Sequence, residues 1–218
     1  MKKEFSFYEF TGVLLPGATL LFGIIWLEPS VKTFLLDEEI TLGALGLFTI
    51  AAYLAGHLIQ SFGNIFELIA WSYTGKPTHW IRDVKRKPLL LSKRQLEDLP
   101  KAIETLTGQT ITDIKSLTRK DTNDLRGRIY ATLSKRKITE RIDIFNGNYG
   151  MFRGIAAASI LIAICGFIQT DLKSRQFWIP LIISLPAIYR CYRFGVYYAK
   201  ELYWVALNEG SKQEEVAK

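Results

Sequence analysis

Residues 40–71 read ITLGALGLFTIAAYLAGHLIQSFGNIFELIAW. The 27 residues from Ile40 to Phe66 contain no Asp, Glu, Lys or Arg, and the first charge is Glu67. At 1.5 Å per residue, such a run as a helix exceeds a hydrocarbon core of roughly 30 Å. Within it Gly43, Gly46, Ile50, Tyr53, His57, Gln60, Asn64, Glu67 and Trp71 recur at spacings of three and four. That spacing places them on one face of one helix. The first half of the face is small and apolar, the second half polar. Polar groups left unpaired in lipid cost several kcal/mol. The stripe therefore has to meet another helix, another subunit or water.

The rest of the chain fits a membrane protein. Of its 218 residues 49% are apolar and 13% aromatic, and mean hydropathy is slightly positive. Aromatic belts at two membrane interfaces account for so many rings. The two cysteines, Cys165 and Cys191, fall in or beside apolar runs and form neither a disulfide framework nor a metal motif. They read as buried, inert thiols. The first apolar run lacks a small-residue cleavage site and is followed by three more, so it reads as a retained span rather than a signal peptide.

Four spans are expected. An aromatic, interface-seeking lead (Phe5, Phe7, Tyr8, Phe10) precedes span one, Phe10 to Leu27, in which Pro16-Gly17 either kinks a full span, the preferred reading, or opens a shorter helix after an interfacial turn. An acidic link follows, with Glu28, Asp37, Glu38 and Glu39 against Lys32. Span two ends near Ala70, before Gly75-Lys76-Pro77. Span three runs from about Tyr149 to Ile168. It opens with Arg153 and continues through Gly154, Ala156, Ala157, Ala158 and Ser159, thin enough for a helix to approach closely. Span four begins near Phe177 and Trp178, contains Pro180 and Pro186, and reaches Arg190 and Arg193. It continues as an amphipathic helix, because Arg190, Arg193, Tyr197, Glu201 and Trp204 share a face.

Between spans two and three, residues 72–148 carry 17 Lys or Arg against 9 Asp or Glu. Lys76, Arg82, Lys85, Arg86 and Lys87 lie just behind span two, and Lys135, Arg136, Lys137 and Arg141 just before span three. The positive-inside tendency puts this segment and both termini in the cytoplasm. Ser92 with Gln95 forms a capping-box pattern opening a helix that Gly108 ends. Leu125, Ile129, Leu133, Ile138 and Ile142 mark a second helix, from Asp121 to about Arg141. Asn146, Gly147, Asn148 and Gly150 are expected to break the chain before span three. The expected organisation is all-α: residues 1–71 with two spans, 72–148 as a basic helical cytoplasmic insertion, 149–207 with two spans and a helical extension, and 208–218 as a frayed polar tail.

Three constellations have functional potential. Tyr53, His57, Gln60, Asn64 and Glu67 fit interhelical bonding within one bundle, a polar path lined by several copies, or a ligand cavity. Glu67 shares its expected depth with Arg153, Arg190 and Arg193, which makes an ion pair with at least one of them the expectation. The alternative is that these arginines snorkel to lipid phosphate. The basic insertion fits the positive-inside bias and attraction to anionic phospholipids better than direct nucleic-acid binding. No zinc finger, Walker loop or dinucleotide turn accompanies it. No metal or cofactor is indicated. His57 and His79 lack a neighbouring His or Cys partner, there is no G-x-S-x-G elbow, and an Arg followed four residues later by His is absent.

With Phe7-Tyr8-Glu9-Phe10 and Pro16-Gly17, GHLIQ (Gly56 to Gln60) and NYGMFRG (Asn148 to Gly154) in view, the chain resembles small four-span prokaryotic membrane proteins of unassigned activity. Its architecture is similar to accessory membrane proteins of antiviral CRISPR or nucleotide-signalling systems. The resemblance implies an effector that disturbs the inner membrane once a cytoplasmic partner or nucleotide signals infection. Tyr8, Glu9, Pro16, Gly17, the His57 stripe and Arg153 are the matching residues. It implies no catalytic residues, and the missing ribonuclease motif argues against a nuclease-like branch. The functional expectation is an oligomeric channel or membrane-perturbing effector. The alternatives are a non-catalytic anchor or adaptor for a soluble partner, and, less favoured, a small transporter or lipid-modifying enzyme.

Overall fold

The computed structural model describes residues 9–28, 30–31, 42–83 and 88–216. The expectations for Phe5, Phe7 and Tyr8, for Lys32 and Asp37 to Glu39, and for Lys85 to Lys87 lie outside the described residues. A π-helical segment, Glu9–Leu14, runs straight into α1, Leu15–Leu27. The helices that follow are α2 (Leu42–Ala70), α3 (Lys93–Thr107), α4 (Arg119–Lys135), α5 (Glu140–Gln169) and α6 (Arg175–Val216). Short 3-10 turns occur at Pro77–Arg82 and Ile114–Ser116. No strand occurs among the described residues.

Among the described residues, three helical stretches are long and apolar enough to cross a membrane: Phe10–Leu27, Leu42–Ala70 and Glu140–Gln169. The chain thus has the architecture of a multi-pass, all-α membrane protein. The expected fourth span, in α6, does not reach that standard. Its uncharged stretch from Gln176 to Tyr189 has 14 residues, about 21 Å of helix, and includes Pro180 and Pro186 before Arg190 and Arg193.

Two compact units form. The first comprises Met1–Ser72 and Asn146–Phe194, the second Tyr73–Phe145 and Gly195–Lys218. In the first, α1 packs on α2 with backbone against backbone. A Cβ on Gly17 would collide with Ala52 O and the Gly56 main chain, and a Cβ on Gly56 would collide with Val13 O. Such contact is available only to glycine, and it lets weak Cα–H···O contacts form. Leu21, Ala52 and Ala55 make one small core, and Ile59, Ala157 and Ala158 another. The thin stretch of α5 behaves as expected, with Ala156, Ala157, Ala158 and Ser159 all buried.

The second unit is built like a water-soluble domain. Leu99, Ile103 and Leu106 of α3 and Leu125, Ile129 and Leu133 of α4 are buried at helical spacing. Both helices open with complete capping boxes, Ser92 with Gln95 and Thr118 with Asp121. Gly108 closes α3 in the left-handed region, φ 71°. The apolar supply of this unit looks modest from residues 72–148 alone. The end of α6 completes it, burying Leu202, Tyr203 and Ala206. Tyr203 donates its hydroxyl to Thr78 O at 2.8 Å.

Four local expectations are corrected. The helix expected over Asp121–Arg141 stops at Lys135, and Lys137 turns the chain with φ 59°. Thr139 then starts α5, its hydroxyl bonded to Asp143 Oδ2 at 2.8 Å. Because the turn is already made there, α5 runs unbroken through Asn146, Gly147, Asn148 and Gly150. The tail expected to fray from Asn208 is helical to Val216, because Gly210 lies so close to the Ala102 main chain that no Cβ fits. Of the two thiols, Cys191 is buried but Cys165 is exposed.

Candidate functional site

The first unit holds a buried polar network that three sequence features build together. Pro16 has no N–H, so the carbonyl of Gly12, four residues earlier, lacks the donor a regular α-helix would supply. The Gln60 Nε2 amide donates to that carbonyl and also to Gly150 O on α5, at 3.1 Å. Gln60 Oε1 accepts from Arg153 Nη2 at 2.6 Å. Arg153 Nη1 donates to Glu67 Oε2 in a direct ion pair. Glu67 is 8% exposed and Arg153 12%, so the pair is desolvated. Gly63 makes room for it, since its Cβ would sit 3.3 Å from Arg153 Nε. Gly154 performs the same service for Pro16 and Gln60, whose nearest atoms lie 2.7 and 3.0 Å from where its Cβ would be.

Aromatic groups close the network at the end of α2. Trp71 donates its indole N–H to the Tyr149 hydroxyl at 3.0 Å and stacks on Tyr192, ring centroids 5.8 Å apart. The Arg153 guanidinium lies 5.7 Å from the Tyr149 ring centre, a cation–π distance.

The stripe of polar residues on α2 therefore divides. Gln60 and Glu67 are buried, Tyr53 is half-buried, and His57 and Asn64 are exposed. The helix has turned from the expected face. Its buried side follows Ala52, Gly56, Ile59, Gly63 and Glu67, with Gln60 near the edge and His57 and Asn64 about 40–60° further round. Tyr53 and His57 rings meet edge-on at 4.7 Å. Of the three arginines, Arg153 pairs with Glu67. Arg190 lies near the Phe152 and Phe194 rings, at 6.0 and 5.9 Å from their centres, and Arg193 donates to the Tyr189 hydroxyl at 2.9 Å.

Sequence reasoning missed Gln60 as the centre of the network and the roles of Gly63, Gly154 and Tyr149. One signal was present: a proline inside an apolar helix leaves a carbonyl that some donor must satisfy.

In the second unit, His79 is buried and donates from Nε2 to Asn123 Oδ1 at 2.9 Å. Burial holds its imidazole below the usual value. The Asn123 bond opposes that shift, and Arg82, Arg119 and Lys76 reinforce it. Glu201 meets Arg141 at 3.3 Å. Burial, with Asp143 beside it, pushes the Tyr130 hydroxyl up to about 12. A groove of about 460 Å³ has Ile81, Leu96 and Ile114 in its lining, with charges of both signs from Lys93, Lys115, Glu97 and Asp113. Among the described residues, no three His, Cys, Asp or Glu side chains gather where a metal would bind.

The network is a structural clasp: every polar arm of Gln60 is used, and Glu67 and Arg153 neutralise each other. No protein-family model matches the chain, and no curated protein or solved structure gives a significant match.

Proposed function

We propose that the chain is a multi-pass protein of the prokaryotic inner (cytoplasmic) membrane, with four crossings and both termini cytoplasmic. It assembles as a homo-oligomer and acts as a channel or membrane-perturbing effector. Its short fourth crossing is α6, anchored by Trp178 at one end and by Tyr189, Arg190, Tyr192 and Arg193 at the other. The observation that supports this reading is the exposure of His57 and Asn64 on a helix whose exposed neighbours are Leu54, Leu58 and Ile65. Polar side chains among acyl chains are costly, and contact with a second copy or with a water path between copies removes that cost. The backbone contact at Gly17 and Gly56 supports placing any path between chains rather than within one. The trigger, a cytoplasmic protein or nucleotide, acts through the helical insertion by favouring an open assembly. Anionic phospholipids meet its basic residues. Antiviral defence is the setting that the short-motif resemblance suggests.

The test is ion flux from liposomes holding purified protein, with extract from phage-infected or uninfected cells. The expected result is flux that rises with infected extract and falls in His57→Leu and Asn64→Leu variants. No flux under either condition overturns it.

A second reading, a non-catalytic anchor or adaptor, is favoured by the clasp in which Gln60 and Glu67 both bond Arg153 inside the bundle. It predicts a stable complex with a soluble partner in pull-downs through residues 72–150, and no flux.

A further inference from the structure

The first unit contains a cavity of about 370 Å³ that the clasp does not use. α1, α5 and α6 all contribute to it. Phe22, Trp26, Ile162, Ile179 and Ile183 give it apolar walls. Ser159 adds little bulk to the lining, and Gly23 lets Ile162 of α5 pack against the α1 main chain, where a Cβ would collide with it. At roughly 30 Å³ for a group the size of a water, the cavity holds about a dozen such groups.

Two features narrow what can occupy it. Polar side-chain oxygens in the lining come only from Thr19 and Ser159, apart from the Trp26 indole N–H. The Thr19 hydroxyl is already committed to Leu15 O at 2.9 Å. A water needs two to four polar partners to settle in a cavity, and a headgroup needs more. Hydrocarbon needs none, and it regains the dispersion contacts an empty space forfeits. The mouth is also apolar: Phe22, Ile179 and Ile183 are 58%, 43% and 48% exposed. Trp26, and Trp178 beside Ile179, give this end of the helices the indole pair that membrane interfaces favour.

We propose that this cavity is a binding site for one acyl chain of a bilayer phospholipid, which enters sideways and wedges among α1, α5 and α6. The site rests on the bilayer residence of the first unit, and it is independent of whether the protein conducts ions.

The test uses the full chain in liposomes containing a phospholipid with a photoactivatable diazirine midway along one acyl chain, followed by peptide mass spectrometry. Adducts are expected at Phe22, Ile179 and Ile183 at least about fivefold above those at Ile164 and Ile168 on the exposed side of α5, a preference near 1 kcal/mol. Filling the cavity by Thr19→Phe, or from the opposite wall by Ile183→Trp, is expected to bring labelling at the remaining cavity positions down to the level of Ile164 and Ile168. Equal labelling at both places in the wild-type chain, or labelling that neither substitution reduces, overturns the site while leaving bilayer residence intact. No adducts at Ile164 and Ile168 either overturns bilayer residence and the site with it. Cavity positions left unlabelled while Ile164 and Ile168 are labelled also overturn it.

Discussion

α2 and α4 have opposite constructions. α4 buries Leu125, Ile129 and Leu133 and exposes charges, as a helix in water does. α2 exposes Leu54, Leu58, Ile65 and Leu68 and buries Gly56, Gln60, Gly63 and Glu67. In water the apolar face drives packing at roughly 25 cal/mol per Å². In lipid that drive is absent, so association falls to close backbone contact and to polar groups that pair. One chain thus uses two kinds of adhesive: aliphatic burial in the second unit, and glycine contact with a charge clasp in the first.

The contrast can be broken most severely at the clasp. Arg153→Met leaves Glu67 buried without its cation, and a loss of about 3–5 kcal/mol is expected, read as thermal unfolding in detergent. Adding Glu67→Leu should recover most of it. A single variant no worse than the double would mean the pair carries no buried charge. Next comes a matched truncation. Leu125→Ala in the aliphatic core should cost about 2–5 kcal/mol, whereas Leu58→Ala on the exposed side of α2 should stay within about 0.5 kcal/mol. Hydrogen exchange resolves the two units, and equal losses would mean that both are held by the same kind of contact. Ser92→Ala should cost about 1 kcal/mol by removing the α3 cap, with faster exchange confined to the first turn of that helix.

The smallest effect concerns protons. His79 has a depressed value when folded, so below about pH 6.5 the unfolded chain takes up a proton that the folded one refuses. Stability of the second unit should therefore decline as pH falls from about 7 to 5, and His79→Gln should flatten that part of the profile. An unchanged slope in the variant assigns the decline to other groups.

Some of this was legible in advance. The capping pattern of Ser92 and Gln95, the stop at Gly108 and the membrane-length run before Glu67 are local signals, and local signals survive folding. The pairing of Glu67 with an arginine followed from charge and depth alone. The rotation of α2 was not legible. The residues chosen as its face were the polar ones, but Gly56 and Gly63 decide which side neighbours can approach. Side-chain size outweighed polarity, which is why His57 and Asn64 lie outside the packed face. The unbroken α5 was hidden for a related reason. Asn146, Gly147 and Gly150 read as breakers by propensity, and Gly150 instead supplies a carbonyl to Gln60. The cavity was invisible because it depends on how three distant segments fail to fill space.

The partners in the ion pair are separated by 86 positions along the chain. A ribosome adding 5–20 residues per second takes on the order of ten seconds to cover that distance. During this interval α2 has been made, and its carboxylate has no guanidinium to meet. The newborn α2 therefore passes that interval without the partner it holds in the finished fold. A single late-arriving arginine is what completes the buried polar side of α2.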